Sequence, residues 1–277
     1  MKLIHTIAEL RAAVGAGRAA FVPTMGNLHA GHLALVAQAR EVGGPDAPVV
    51  VSLFVNRLQF LPHEDFDRYP RTLEADCAQL AAQGHCDFVF APDEKELYPE
   101  PQGYKVVPPP ELADLLEGQF RPGFFTGVCT VVHKLFNLVQ PAHAVFGKKD
   151  YQQLMVLRRM VAQMGLPIAV HGGETLRSPE GLALSSRNQY LSAEQQAQAL
   201  QLRAALKGLI AEWQAGLRDR ERMEGEALDR LAAQGWEPDY LTLRRQHDLG
   251  PARSGEPLVA LGAARLGSTR LIDNLEA

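Results

Sequence analysis

Two histidines three residues apart, His29 and His32, close the run Pro23-Thr24-Met25-Gly26-Asn27-Leu28-His29-Ala30-Gly31-His32. An apolar segment, Ala19-Ala20-Phe21-Val22, precedes the run, and a periodic one (Leu33, Leu35, Val36, Ala39) follows it. That pattern predicts a strand, a tight turn and a helix start. The first turn of a helix has unpaired N–H groups and a partial positive charge, so it suits an anion such as phosphate. Gly26 and Gly31 let the backbone approach a ligand closely. Histidines at i and i+3 share a face, so both rings can hydrogen-bond one nucleotide phosphate as charge builds on it. Two other uses stay open at this point. His-x-x-His can be a metal pair, although metal sites usually need a third ligand and a second shell, and no other His or Cys lies nearby in the sequence. The rings can also simply cap the helix.

Three further strand ends carry polar or glycine-rich residues. In Val55-Asn56-Arg57-Leu58-Gln59-Phe60, Asn56 and Gln59 are neutral and both donate and accept, which suits a small substrate bearing hydroxyl and carboxylate groups. In Phe146-Gly147-Lys148-Lys149-Asp150-Tyr151-Gln152-Gln153, a glycine after a strand precedes lysines and a helix-capping aspartate. Lys149 there can bind phosphate as a point charge. In Leu184-Ser185-Ser186-Arg187-Asn188, two hydroxyls and an arginine can close over phosphates, Arg187 neutralising transferred charge. Each loop alone reads equally as an ordinary surface turn; together they point to one cleft.

The elements that must carry these loops are legible from periodicity. Residues 49–55 form a near-continuous apolar run, as in a parallel strand covered on both faces. Leu73, Cys77 and Leu80 repeat at helical spacing before Gly84, and 87–90 reads as a strand. A helical stripe runs from Val128 to Val139, followed by a strand at 144–146, a helix from Asp150 to Gly165 and a strand at 168–170. This alternation predicts an α/β fold with a doubly wound parallel sheet, Rossmann-like, whose ligands bind beyond the strand C-termini. Residues 171–181 read as a linker or hinge. Beyond it lies a long helix opened by the capping box Ser192-x-x-Gln195, with Leu202, Leu206, Leu209 and Trp213 in its stripe. A second helix covers roughly 219–234, and 240–243 with 258–261 read as a small antiparallel sheet. The expected domains are 1–175, binding nucleotide and acid substrate, and a small α+β domain, 176–277, that closes over the nucleotide.

Composition narrows the function classes. A chain of 277 residues with 46% hydrophobic residues can bury a substantial core, and its net charge of −4 argues against non-specific nucleic-acid or anionic-membrane binding. An anionic substrate must therefore meet a local positive cluster. Cys77, Cys86 and Cys129 form no CxxC pair and fit a reduced, cytoplasmic setting, each as a small buried hydrophobe. The start of the chain lacks a signal-like apolar region, and no apolar run approaches ~18 residues.

These residues resemble the pantoate–β-alanine ligase (pantothenate synthetase) family of the nucleotidylyltransferase superfamily with HIGH-type motifs. The resemblance rests on 23–32, on Phe-Val-Asn-x-Leu-Gln-Phe at 54–60, Tyr-Pro-Arg at 69–71 and Leu-Glu-Gly at 116–118. It continues through Lys-Leu-Phe-Asn-Leu-Val-Gln-Pro at 134–141, Lys-Asp-Tyr-Gln-Gln at 149–153 and Gly-Leu-Ala-Leu-Ser-Ser-Arg-Asn at 181–188. It implies ATP-driven condensation of (R)-pantoate with β-alanine through a pantoyl adenylate, releasing AMP and pyrophosphate, in a homodimer. By position, the resemblance implies that His29, His32, Lys149 and Arg187 are catalytic, with His32 the proton donor. ATP would meet the segment Met25, Gly26, Asn27, Leu28, His29, Ala30, Gly31 and His32. It would also meet Gly147, Lys148, Lys149, Asp150, Leu176, Leu184, Ser185, Ser186 and Arg187. Pantoate would lie against Met25, Asn56, Gln59 and Gln153. Mg2+ would be held chiefly by the phosphates, with no protein metal site.

Four positions depart from the family pattern: Arg57 for proline, Phe124 for histidine, Lys148 for glutamate and Glu174 for proline. They keep two alternatives in view: another nucleotidyltransferase acting on a phosphorylated acceptor, with Arg57 as its cation, or a nucleotide-binding protein without catalysis.

Overall fold

A computed structural model describes residues 1–61, 64 and 66–277. It divides into two compact units, 1–148 with 156–174, and 149–155 with 175–277.

The first unit begins with β1 (Lys2–Ile4), α1 (Ile7–Ala13), β2 (Ala20–Thr24), α2 (Ala30–Gly43), β3 (Val49–Leu53), α3 (Leu73–Gln83) and β4 (Phe88–Phe90). Short helices α4 (Glu94–Leu97), α5 (Pro110–Ala113) and α6 (Glu117–Phe120) lead to α7 (Phe124–Val139) and β5 (His143–Gly147). Helix α8 (Tyr151–Gln163), whose opening residues group with the second unit, precedes β6 (Ala169–Gly173). The six strands form one parallel sheet in the order β1-β4-β3-β2-β5-β6, the doubly wound arrangement that the alternation predicts.

Strand periodicity sends alternate side chains to opposite faces. Ala20 and Val22 of β2, Val49, Val51 and Leu53 of β3, and Val89 of β4 pack on one face with Val36 and Ala39 of α2 and Leu80 of α3. On the other face, Phe136 of α7 meets Phe21 and Phe146 edge-on, each at 6.3 Å between centroids. Each such pair adds about 0.5–1.5 kcal/mol beyond the area it buries.

Several elements differ from the sequence reading. β3 ends at Leu53 rather than at 55, because after Phe54 N–H donates to Thr24 O (3.1 Å) the chain turns into a 3-10 turn, Arg57–Gln59. β6 continues through Gly173 into the stretch read as a hinge, with His171, Gly172 and Gly173 paired to Val145, Phe146 and Gly147. Two glycines have no strand propensity of their own, so only the neighbouring strand reveals them. β1 and α1 are additions to the sequence reading, since a three-residue strand carries no periodic signal.

The second unit carries α9 (Ala193–Gln214), α10 (Arg220–Ala232) and an antiparallel sheet of β7 (Glu237–Arg245), β8 (Leu258–Leu266) and β9 (Thr269–Glu276). The expected Ser192/Gln195 capping box opens α9. Leu202, Leu206 and Leu209 of α9 and Met223 and Leu231 of α10 form one core with Leu241, Leu243 and Ala260 of the sheet. A Cβ on Gly262 would lie 2.6 Å from Leu241 and 3.1 Å from Leu202, so β8 lies close beneath the helix. The third strand, β9, is likewise an addition to the sequence reading.

Candidate active site

The winding of the sheet reverses between the neighbouring strands β2 and β5, and ligands of such sheets bind beyond the C-terminal ends at that reversal. β2 delivers the segment from Met25 to His32 there, and β5 delivers Gly147 and Lys148.

The turn after β2 is built from two successive left-handed residues, Gly26 (φ 80°) and Asn27 (φ 52°). Gly26 N–H donates to Thr24 Oγ1 at 3.2 Å, and the Thr24 hydroxyl donates to Ser52 O at 2.9 Å. Asn27 and Leu28 N–H donate to the two oxygens of Asp76, at 2.9 and 2.8 Å. Those two N–H groups therefore point inward. Leu28 is itself buried in the core, and Ala30 is exposed on the first turn of α2.

His29 caps α2, its Nδ1 accepting from Gly31 N–H at 3.1 Å, while His32 Nδ1 accepts from His29 N–H at 3.3 Å. A Cβ at Gly31 would lie 2.8 Å from the His29 ring, which explains the glycine. The rings lie 4.1 Å apart. A ring nitrogen that accepts a hydrogen bond carries no hydrogen, so each neutral imidazole holds its proton on Nε2. Capping and phosphate binding are thus compatible uses of the same rings: Nδ1 closes the helix end, and Nε2–H is the donor a phosphate oxygen needs.

Asn56, 1% exposed, organises the polar wall. Its Nδ2 donates to Gln59 Oε1 (3.1 Å) and to Gly127 O (3.2 Å), and its Oδ1 accepts from Tyr98 OH (3.0 Å). Burial, then the Glu94 charge, pushes the Tyr98 hydroxyl up, so it stays a donor. Asn56 therefore works through Gln59, whose Nε2 is left to donate and contacts Met25 Sδ at 3.1 Å. A Cβ at Gly127 would lie 2.1 Å from Leu58 O, so only glycine lets α7 approach this turn. A cavity of about 270 Å3 lies beside Gln59, lined also by Phe60, Lys105, Phe124 and Thr126.

The four departures are accommodated. Arg57 pairs with Glu94 at 3.0 Å and lies over the Phe66 ring at 3.8 Å. Phe124 lies 3.8 Å beneath Arg121, which binds Glu64 at 2.7 Å and the Gln59 carbonyl at 3.2 Å. Lys148 pairs with Glu174 at 2.6 Å, so one departure offsets the charge of another.

The remaining candidates lie in the second unit: Lys149, Asp150, Gln153, Leu176, Leu184, Ser185, Ser186 and Arg187. Asp150 stands in a 3-10 turn, Lys148–Asp150, directly before α8. Asn274 Nδ2 donates to Lys149 O at 2.8 Å. Arg177 holds Asp273 through both carboxylate oxygens (2.8 and 2.9 Å) and Leu184 N–H donates to Leu176 O (2.9 Å), which fixes the loop before Ser185. Ser185 Oγ then caps the next turn by accepting from Arg187 N–H at 3.2 Å.

Sequence reasoning missed Asp76, Tyr98, Gly127 and the Arg177–Asp273 pair. Asp76 did leave a signal: a carboxylate three residues after Leu73 and four before Leu80 lies on the apolar face of its helix. Among the described residues no three His, Cys, Asp or Glu side chains gather as metal ligands, and no helix is long and apolar enough to cross a membrane.

The family model for pantoate-beta-alanine ligase matches residues 2–276. The chain belongs to the pantoate–β-alanine ligase family. A pantothenate synthetase of Leptothrix cholodnii is 65% identical, and one of Paracidovorax citrulli 59%, each matched over 100% of both chains. Among solved structures, a pantothenate synthetase of Thermus thermophilus is 48% identical with a TM-score of 0.92, covering 100% of this chain and 99% of its own. The family's ligase from Francisella tularensis, complexed with beta-gamma ATP and β-alanine, is 30% identical with a TM-score of 0.79, covering 100% and 97%.

Proposed function

We propose that this chain is an ATP-dependent ligase joining the carboxylate of (R)-pantoate to the amine of β-alanine. The pantoate carboxylate attacks the α-phosphate, its O–P bond forming as the bond to pyrophosphate breaks. The β-alanine nitrogen then attacks the acyl carbon, and AMP leaves with the former carboxylate oxygen while the amine loses a proton. Neither step needs a protein nucleophile, so alignment and charge neutralisation are the protein's share.

The observation that carries this reading is the His29–His32 turn at the sheet's reversal, whose rings each accept a backbone N–H on Nδ1. In this reading His32 and His29 donate to the phosphates, and Lys149, Ser185, Ser186 and Arg187 supply further positive charge and hydroxyls. Gln59, held by Asn56, and Gln153 bind pantoate, while Gly147, Asp150 and the backbone near Leu176 bind the nucleoside. Magnesium enters this reading with ATP as part of the substrate, carried chiefly by the phosphates and water. The homodimer belongs to the same proposal and rests on family membership. Three free cysteines support a cytoplasmic setting.

The test is product formation with MgATP, pantoate and β-alanine, each omitted in turn. AMP release requiring both pantoate and β-alanine supports the ligase. Transfer of the nucleotide to a stable product, or ATP binding without pantoate-dependent pyrophosphate, defeats it.

A further inference from the structure

Asp76 is a buried carboxylate, 1% exposed, on α3. Its oxygens accept Asn27 N–H, Leu28 N–H and the Thr72 hydroxyl (3.0 Å). Taking a carboxylate out of water costs several kcal/mol unless hydrogen bonds replace the lost hydration. Here the replacement comes largely from one turn, the turn that must hold Asn27 in a left-handed conformation unusual for a residue with a side chain. The approach is close: a Cβ on Gly26 would lie 3.1 Å from Asp76 Oδ2. Leu28 leads directly to His29, whose backbone N–H sets the His32 ring and whose own ring caps α2.

We propose that Asp76 is a positioning residue for phosphate chemistry, fixing the turn that sets the height and the Nε2–H tautomers of His29 and His32. The inference deepens the function proposed above and rests on it for its kinetic consequence. The carboxylate serves two diverging backbone donors at once. An amide has one acceptor oxygen, so Asp76→Asn would leave an NH2 group facing a backbone N–H and let the turn shift. A displacement of ~1 Å at the reacting groups can cost up to ~10²-fold, so a loss of at least ~10-fold in kcat is expected.

The experiment measures pantoate-dependent pyrophosphate release by the full chain and the imidazole 15N shifts of His29 and His32, for wild type and Asp76→Asn. The expected result is that loss in kcat, a pantoate KM within about twofold of wild type, and 15N shifts moving away from pure Nε2–H imidazole. Unchanged kcat, unchanged 15N shifts, or a loss spread over kcat and both the ATP and pantoate KM values overturns the proposal. If Asp76→Asn does not fold, Thr72→Val, which removes one of the three donors, carries the test. It should move kcat and the 15N shifts in the same sense by a smaller amount, and wild-type values overturn the proposal. Should wild type itself show no pantoate-dependent pyrophosphate release, the functional reading fails, and the ligand-free 15N comparison still decides the role of Asp76.

Discussion

Replacing Asn56 by alanine removes three hydrogen bonds from a side chain that water does not reach. It leaves the Tyr98 hydroxyl, the Gly127 carbonyl and Gln59 Oε1 without their partner. At about 1 kcal/mol for each bond, the loss is about 3 kcal/mol. For a domain of this size that lowers the melting temperature by roughly 6–12 °C. The kinetic effect is separate, because the Gln59 carboxamide is then free to rotate, and one misdirected hydrogen bond raises the pantoate KM by roughly 3–10-fold. Circular-dichroism melting and pyrophosphate release at varied pantoate measure the two effects. A cycle with Gln59→Ala isolates the coupling: in that background Asn56→Ala should still lower the melting temperature but no longer change pantoate use. A pantoate KM that stays at its wild-type value in Asn56→Ala while the protein melts earlier would refute the orienting role. Additive effects on KM in the double variant would do the same.

His32→Ala and Lys149→Ala should each lower pyrophosphate release by at least ~10²-fold, the scale of removing a preorganised donor, and near-normal turnover in both would remove them from the mechanism. Gly127→Ala places a Cβ against Leu58 O, so it should cost at least ~1–3 kcal/mol, checked by urea unfolding; an unchanged midpoint would contradict the close approach of α7. His171, whose ring lies 3.1 Å from His143, has its pKa lowered by burial first, then by His143 and Arg158. The folded state therefore binds this proton less readily than the unfolded chain. Its contribution is full above the ordinary value of 6.5 and is lost as pH falls below it toward the depressed folded value. Melting temperatures between pH 7.5 and 5.5 should fall more steeply for wild type than for His171→Gln, and parallel curves would contradict this sign.

Much of the fold was legible because burial imposes periodicity. Continuous apolar runs such as 49–53 mark strands covered on both faces, and stripes such as Val128, Val132, Leu135 and Val139 mark helices. Elements that lean on neighbours escaped: β6 continues through Gly172 and Gly173 because β5 supplies the ladder, and β9 joins a sheet that β8 had already set.

Among the candidate residues, types alone suggested phosphate and a small polar acid: glycines at the turn, paired histidines, neutral amides, and a lysine and an arginine on separate loops. Which of these side chains are held by protein partners was decided only in three dimensions. Asn56 and Gln59 look equivalent in the sequence, yet one is enclosed and the other is aimed by it. Arg57 and Lys148 look like spare cations, yet Glu94 and Glu174 engage them. Asp76 reads as a misplaced charge on an apolar face until the left-handed turn comes to rest on it from 48 and 49 residues away. Periodicity is written locally because each side chain answers to its own surface, whereas a donor's direction depends on partners that only the folded chain brings within 3 Å.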